Sequence, residues 1–359
     1  MSRFTTDLIN GIEPYTPGEQ PRDKRYIKLN TNENPFYTSP SAVARISQSA
    51  LQNLNRYSDP ESNELTKTIA DYYGVEADNV LVTNGSDEAL AFAFYAYCKN
   101  GVCYPDVTYG FYDVIANLFE CPIERIALTD DFTVNFKEYF NKGKTVVLAN
   151  PNAQTGIELS LSDIEQIIKN NRNNIVVIDQ AYADFGNSNA IGLIKKYDNL
   201  VIVNTFSKSR SLAGARVGYI IACESLISDL KKVKNSFHPY NVNSLSAALA
   251  TEAIRDENYF IQSVKCVKDG RELLSSGLTE LGFMVLPSAA NFVLAKHDII
   301  RGEVLYKMLK MRGILVRHLN DERISDFVRI TVGTENEINQ LLKVIAEIIT
   351  EKNNENGGN

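Results

Sequence analysis

The sequence predicts an α/β fold, with a mainly parallel mixed sheet covered by helices on both faces and a smaller α+β domain after it. Two observations support this prediction. From Asn79 onward, short runs rich in Val, Ile and Leu alternate with amphipathic stretches, which is typical of buried strands covered by helices. After about residue 245 longer helical patterns begin, and a chain of 359 residues suits one large domain and one smaller one.

The predicted elements follow one another along the chain. In the large domain we predict strands at residues 80–83, 145–149, 175–178 and 200–204, and helices at residues 87–99, 160–170 and 191–196. The small domain begins with a long helical pattern at residues 246–281, interrupted near Asp256. It continues with strands at 291–295, 314–317 and 327–332, a helix at 302–312 and a final helix from Glu335.

Four segments result. Residues 1–30 form an N-terminal arm with little periodicity, residues 31–245 the large domain and residues 246–352 the small C-terminal domain. Residues 353–359 have no apolar side chain, so we predict a disordered tail.

Composition and charge argue against several classes of function. The formal net charge is -7, so we expect neither a nucleic-acid partner nor an anionic membrane partner. The five cysteines form no C-x-x-C pair, and the three histidines have no metal-ligand spacing. No apolar signal segment occurs at the N-terminus, and the longest apolar run is too short to span a bilayer. We therefore expect a cytoplasmic protein with reduced thiols and no metal.

Ligands of open α/β sheets bind beyond the carboxyl ends of the strands, so the segments after the predicted strands are candidate sites. Ser86 and Asp87 begin a helix after the first strand, where an anion is favoured, although capping by Asp87 is the simpler interpretation of that segment alone. Asp179 follows the third strand, as either a cap or the partner of a buried cation. Lys208 follows the fourth strand, where desolvation makes a lysine a usable amine nucleophile. Arg216 lies beyond a glycine-containing turn and can bind an anion as a bidentate clamp.

Each of these segments is weak evidence by itself. Together they provide an amine for an aldehyde, an acid for a ring nitrogen, a phenol at Tyr182 for a ring hydroxyl, and a phosphate site. These groups are what pyridoxal 5'-phosphate requires, so we predict that the protein holds this cofactor through Lys208.

The sequence also resembles the fold-type I aminotransferases of class I/II, over about residues 11–345. The segments that carry the resemblance are residues 11–18, 29–35, 56–60, 108–110, 179–182, 205–218, 240–245 and 328–333. The Pro-Tyr-x-Pro-Gly arm and the Asn-Val-Asn segment resemble the branch of the family that acts on histidinol phosphate. The resemblance implies transamination between an amine and a 2-oxo acid, with histidinol phosphate and 2-oxoglutarate as the expected pair in histidine biosynthesis.

The resemblance also implies residue roles. Lys208 would be the Schiff-base lysine, Asp179 would pair with the pyridine nitrogen, and Tyr182 would hydrogen-bond the ring hydroxyl. The other implied cofactor contacts are Ser86, Asp87, Ser207 and Arg216 at the phosphate, Tyr109 stacked on the ring, Ala181 on its opposite face, and Tyr57 reaching the phosphate in the neighbouring subunit. That last contact implies a homodimer with shared active sites. The candidate substrate contacts are Arg329, Arg317, Tyr15 and Asn34, although a surface ion pair explains Arg317 equally well.

The chain departs from the family pattern in the loop after the second predicted strand. The family usually has Asn-Pro-Asn-Asn-Pro-Thr-Gly, whereas this chain has Ala153 and Gln154 at the fourth and fifth positions. The usual asparagine donor to the ring hydroxyl is therefore missing, and Asn152 is the candidate substitute. Smaller departures are Gln180 in place of glutamate, and Ser58 where proline is common. Such changes could tune the ring electronics or signal a different substrate.

Two kinds of alternative remain open. One keeps the cofactor and changes the reaction, to a threonine-phosphate decarboxylase-like activity or to an aromatic amino-acid aminotransferase. The other is a catalytically inactive paralogue that binds the cofactor, which Ala153 and Gln154 motivate. The presence of Lys208, Asp179 and Arg216 argues against an inactive protein.

Overall fold

The computed structural model describes residues 2–46 and 51–357. The strands are β1 (Ile27–Lys28), β2 (Val80–Thr83), β3 (Val102–Pro105), β4 (Ile123–Ile126), β5 (Thr145–Ala149), β6 (Val176–Asp179), β7 (Leu200–Thr205), β8 (Gly218–Ala222), β9 (Phe283–Val285), β10 (Phe292–His297), β11 (Ile314–Leu315), β12 (Arg317–His318) and β13 (Phe327–Thr331). The α-helices are α1 (Asp7–Gly11), α2 (Pro40–Ala44), α3 (Asn63–Tyr73), α4 (Gly85–Tyr97), α5 (Phe111–Leu118), α6 (Leu161–Lys169), α7 (Glu224–Phe237), α8 (Ser244–Arg255), α9 (Glu257–Glu280), α10 (Gly302–Met311) and α11 (Glu335–Gly357).

The central sheet has seven strands in the order β2-β8-β7-β6-β5-β3-β4. The strands from β7 to β4 are parallel, and β8 runs antiparallel to both β2 and β7. Because β2 lies two antiparallel steps from β7, it points in the same direction as β7. The carboxyl ends of β2, β5, β6 and β7 therefore meet at one edge of the sheet, and the predicted fold class is confirmed.

Both faces of the central sheet are covered, as the continuous apolar runs of its strands require. Along β7 successive side chains point to opposite faces. Val201 and Val203 pack in one hydrophobic core, whereas Leu200 and Ile202 pack in the other. All four side chains are fully buried, so a polar substitution at any of them would place an unsatisfied group in a core.

The C-terminal part of the chain forms a four-stranded antiparallel sheet in the order β12-β13-β10-β9. Leu274 of α9 and Leu341 of α11 pack in one core with β10 and β13. The N-terminal arm joins this part of the chain, since β1 pairs with β11 in parallel. The main-chain oxygen of Leu29 then accepts a hydrogen bond from the main-chain N–H of Thr331. The arm is therefore held where the two sheets approach each other.

The sequence predicted some of these elements well. Residues 80–83 and 145–149 are strands with the predicted bounds. Two further predicted strands correspond to β6, which is shifted by one residue at both ends, and to β7, which is one residue longer. The sequence analysis did not predict β1, β3, β4, β8 or β9. No helix in the described part of the chain is long and apolar enough to cross a membrane.

Two predicted elements need correction. Residues 191–195 form a 3-10 helix rather than an α-helix, and the predicted strand at 314–317 is divided between two sheets at Val316. The domain boundary at residue 245 stays a prediction; it lies within α8, whose Ile254 packs in the same core as Ile69 of α3. Residues 353–357 of the predicted tail are the last residues of α11. Residues 358–359 lie outside the described residues.

Candidate active site

A cavity of about 390 Å³ opens at the carboxyl edge of the central sheet. Three parts of the chain line it: the ends of the central strands, the N-terminal arm and the antiparallel sheet. The predicted site residues among its lining are Tyr15, Ser86, Asp87, Tyr109, Asp179, Ala181, Tyr182, Ser207, Lys208, Arg216, Arg317 and Arg329. The fold thus brings most of the predicted site together.

Lys208 lies three residues beyond β7, on the cavity wall. Its Nζ donates a hydrogen bond to the main-chain oxygen of Thr31 at 3.3 Å and lies 5.7 Å from the centre of the Tyr182 ring. No carboxylate forms an ion pair with Lys208 among the described residues. A half-buried amine held only by a neutral acceptor is available to react with a ligand in the cavity.

Asp179 is the last residue of β6 and is only 4% exposed. One carboxyl oxygen accepts a hydrogen bond from the Tyr112 hydroxyl at 2.8 Å, and the other accepts one from the main-chain N–H of Ala181 at 3.1 Å. Burial raises the pKa of Asp179 to about 6, although these hydrogen bonds lower it. In the part of the chain that the structure describes, no cationic side chain donates to this carboxyl. A buried carboxyl of this kind is suited to a ligand that brings its own positive charge.

The N-terminus of α4 faces the same cavity and has no side-chain cap among the described residues. Asp87 in its first turn accepts hydrogen bonds from Tyr109 Oη at 3.0 Å and from Arg216 Nη2 at 3.2 Å. Arg216 is therefore held beside the free N–H groups of the helix, which is where anions bind.

Two glycines allow Arg216 to lie close to the start of α4. Gly85 has a φ of +80°, and a Cβ there would lie 2.6 Å from Arg216 Nη2. At Gly218, a Cβ would lie 2.5 Å from the Gly85 carbonyl carbon and 2.6 Å from the Ser86 nitrogen. A side chain at either position would displace the helix start or the arginine, so both positions require glycine.

Arg317 and Arg329 lie opposite each other on the paired strands β12 and β13. Arg329 Nη1 donates to the Ala153 main-chain oxygen at 3.0 Å and to Gln154 Oε1 at 2.7 Å, while its buried Nε has no partner among the described residues. Arg317 donates to the main-chain oxygens of Thr16 and Pro17, at 3.2 and 3.3 Å. Neither guanidinium has a carboxylate partner within the described ranges, so two adjacent positive charges face the cavity.

Tyr15 of the N-terminal arm also lines the cavity. Its ring lies 5.9 Å from the Tyr109 ring and 6.0 Å from the Phe111 ring, with edge-to-face geometry. Partial burial raises the pKa of Tyr15, although Arg329 and Arg317 lower it. The hydroxyl therefore stays protonated at neutral pH and is a hydrogen-bond donor at the cavity.

The family model of the class I and II aminotransferases matches residues 24–345. This chain belongs to that family. A histidinol-phosphate aminotransferase of Brachyspira hyodysenteriae is 46% identical over 352 residues, which are 97% of this chain and 99% of that protein.

Two solved structures show how widely the fold of this aminotransferase is shared. Histidinol-phosphate aminotransferase from Sinorhizobium meliloti, in complex with pyridoxal-5'-phosphate, has a TM-score of 0.88 at 20% identity and covers 98% of this chain and 99% of its own. L-threonine-O-3-phosphate decarboxylase from Porphyromonas gingivalis has a TM-score of 0.78 at 22% identity, with 90% and 99% covered. At these identities the likeness shows the fold alone, and proteins with two different reactions share it.

The residues of this aminotransferase fit the predicted cofactor. Asp179 is a buried acid without a cationic donor among the described residues, and Lys208 is an amine without an acidic partner there. The uncapped start of α4, with Arg216 beside it, provides the anion site. These observations agree with a ligand that carries a ring cation, an aldehyde and a phosphate.

Three predicted site residues of the aminotransferase lie outside the cavity lining. For Asn152, the Nδ2 donates to the Val107 main-chain oxygen at 2.9 Å, and the Oδ1 accepts from the N–H groups of Gln154 and Thr155. Its side chain therefore shapes its own loop, and its contact with the ring hydroxyl stays a prediction.

Asn34 is the second of these residues. Its Nδ2 donates to the Lys208 main-chain oxygen at 3.1 Å, and its Oδ1 accepts from the N–H of Phe36. It holds the lysine loop, and its contact with the substrate stays a prediction. Tyr57, the third, is 84% exposed and stacks on Tyr240 at 4.6 Å. Its contact across subunits stays a prediction.

Two site residues escaped the sequence reasoning. Tyr112 hydrogen-bonds Asp179, and Asn32 Nδ2 donates to Tyr182 Oη at 3.0 Å. Asn32 is itself fixed by Thr331, whose hydroxyl donates to its Oδ1 at 3.1 Å. Asn32 belongs to a segment that resembles the family, but nothing in one sequence shows which side chain of the segment reaches Tyr182.

Proposed function

We propose that this aminotransferase uses pyridoxal 5'-phosphate to transfer an amino group from histidinol phosphate to 2-oxoglutarate, in histidine biosynthesis. The observation that supports it best is the pair Arg317 and Arg329, two facing arginines without carboxylate partners among the described residues, in the cavity that holds Lys208. A phosphate carries up to two negative charges and suits two guanidinium groups. The name of the Brachyspira hyodysenteriae relative supports the same substrate.

The cofactor, when bound, supplies an electron-withdrawing ring that makes the substrate Cα–H acidic. Asp179 would accept a hydrogen bond from the protonated ring nitrogen and so keep the proton on that atom. Tyr182, fixed by Asn32, would bind the ring hydroxyl, and Arg216 and the start of α4 would bind the phosphate. These contacts would hold the ring beside Lys208.

Lys208 is the residue that would move the proton of the substrate Cα. Its Nζ would take this proton as a general base and give it up again as a general acid. Arg329 and Arg317 bind the anionic far end of the substrate and so hold the substrate in the cavity that Lys208 lines. Tyr15 covers the cavity from the arm and limits the access of water.

We also propose a cytoplasmic homodimer with shared active sites, without a nucleic-acid or membrane partner. Tyr57 supports the dimer, because this exposed aromatic side chain is unused by the cavity of its own chain. Light scattering should give a mass twice the 40.1 kDa of one chain. A monomer at micromolar concentration that retains full activity would contradict it.

The test of the reaction is a coupled assay for glutamate, with histidinol phosphate and 2-oxoglutarate as substrates. We expect glutamate to form with histidinol phosphate at a kcat/KM well above that with phenylalanine or tyrosine. Carbon dioxide release from threonine phosphate without glutamate would instead indicate a decarboxylase. A cofactor absorbance band that no amine changes would indicate an inactive paralogue.

A further inference from the structure

Gln154 is a polar side chain on the cavity wall that the proposed reaction does not use. It lies in the loop after β5, at the position where the family pattern has proline. Its Oε1 accepts the hydrogen bond of Arg329 Nη1 at 2.7 Å, beside the Ala153 main-chain oxygen at 3.0 Å. Both acceptors are neutral, so they orient the guanidinium without cancelling its charge.

Arg329 also determines the orientation of the Gln154 side-chain amide. A guanidinium only donates hydrogen bonds, so the amide oxygen must face it and the amide nitrogen must face elsewhere. Within residues 2–46 and 51–357, Gln154 Nε2 has no hydrogen-bond acceptor, and the side chain is only half-buried. Two N–H groups of a residue that lines the cavity are therefore available to a ligand there.

The loop holds this side chain in place. Asn152 Oδ1 accepts the main-chain N–H groups of Gln154 and Thr155, at 2.9 and 3.0 Å. The amide is thus fixed at both its main chain and its oxygen, and a donor positioned in advance costs less entropy when a ligand binds.

We propose that Gln154 is a specificity-determining residue that favours a phosphate over a carboxylate at Arg329. A carboxylate has two oxygens, which Arg329 and Arg317 satisfy. A phosphate monoester has a third terminal oxygen, and Gln154 Nε2 donates to it. This inference rests on the proposed function, since it assumes that an amine with a phosphate and an acid with a carboxylate bind in turn at the same arginines.

The experiment compares KM values for histidinol phosphate and for glutamate in the wild-type holoenzyme and in Gln154→Leu. Loss of one hydrogen bond to a charged group should raise the KM for histidinol phosphate about tenfold. The KM for glutamate should rise much less. Gln154→Glu keeps an acceptor for Arg329 but replaces the donor with a negative oxygen, so it should raise the KM for histidinol phosphate at least as much.

Gln166→Leu, on the exposed face of α6, is the matched control and should change neither KM. Inorganic phosphate provides a second readout, because its competitive inhibition should weaken in Gln154→Leu. Equal rises of both KM values in Gln154→Leu would overturn the inference, since Gln154 would then act only by holding Arg329. An unchanged KM for both substrates in Gln154→Leu would also overturn it. A wild-type enzyme that transaminates glutamate but not histidinol phosphate would overturn the proposed function as well.

Discussion

The two ends of the cavity are built differently. At the cofactor end, Asp179 and Lys208 extend from buried parallel strands of one sheet, and Arg216 is held against the start of α4. At the substrate end, Tyr15 comes from the arm, Gln154 from a loop, and Arg329 from a second sheet. The first end depends on one rigid framework, whereas the second depends on how three distant segments meet.

This difference between the two ends indicates which residues determine the chemistry and which determine the selectivity. Strand ends are fixed by main-chain hydrogen bonds and by two hydrophobic cores, so groups placed there hold their geometry. The substrate end is fixed by single side-chain contacts to main-chain oxygens, such as those of Arg317 to Thr16 and Pro17. We expect substitutions at the first end to affect kcat, and substitutions at the second end to affect KM.

Lys208→Ala should have the largest effect. Without the Nζ, no group of the chain moves the proton, and kcat should fall by a factor on the order of 10²–10⁴ or more. The measurement is glutamate formation, together with the absorbance spectrum of the bound cofactor. Lys67→Ala, at an exposed position of α3, is the control and should leave kcat unchanged. Turnover by Lys208→Ala at the wild-type rate would rule out the assigned role.

Asp179→Asn should have the next largest effect. It removes one partner of the proposed buried ion pair, so cofactor affinity should fall by about 10²–10³-fold. The dissociation constant of the cofactor, measured by spectral titration, tests this. An unchanged affinity would show that Asp179 does not pair with the ring nitrogen.

The same substitution should stabilise the cofactor-free protein. Because burial raises the pKa of Asp179 from its ordinary value of 3.8 to about 6, the folded state binds more protons than the unfolded state between these values. The wild-type carboxyl therefore lowers stability as pH rises through this window, and the loss is complete above it. Asp179→Asn should raise the Tm more at about pH 7.5 than at about pH 4.5. An equal gain at both would contradict the raised pKa.

The sequence predicted the cofactor end better than the substrate end, for a physical reason. Asp179 ends one apolar strand and Lys208 lies three residues beyond another, so local pattern alone places them at the ligand-binding edge of the sheet. Tyr112 and Asn32 act through contacts between segments far apart in the chain, which no local pattern reveals. No local pattern shows either that both ends of the Asn152 amide are used within the fold of its own loop.

The strands of the fold also differ in how well the sequence predicts them. Strands with unbroken apolar runs, such as β5 and β7, could be predicted because both their faces are buried. In contrast, β4 carries two charged residues at the edge of the sheet, and β12 has only two residues, paired with β13. Elements of this kind depend on their neighbours and give little signal of their own.

The smallest effects should come from substitutions of the two facing arginines. The ratio of the two rises in KM tests how much each arginine contributes to the substrate end of the cavity. Arg329 is the more buried and has the unpartnered Nε, so Arg329→Leu should raise the KM for histidinol phosphate by about 30-fold or more. Arg317 is less enclosed and also holds the arm, so Arg317→Ala should raise it by about three- to tenfold. Both variants should keep kcat within about a factor of three, since the proton transfer depends on the other end of the cavity. A kcat that falls as steeply in Arg317→Ala as in Lys208→Ala would mean that closure of the arm controls the chemistry, and the two ends of the cavity would then act as one.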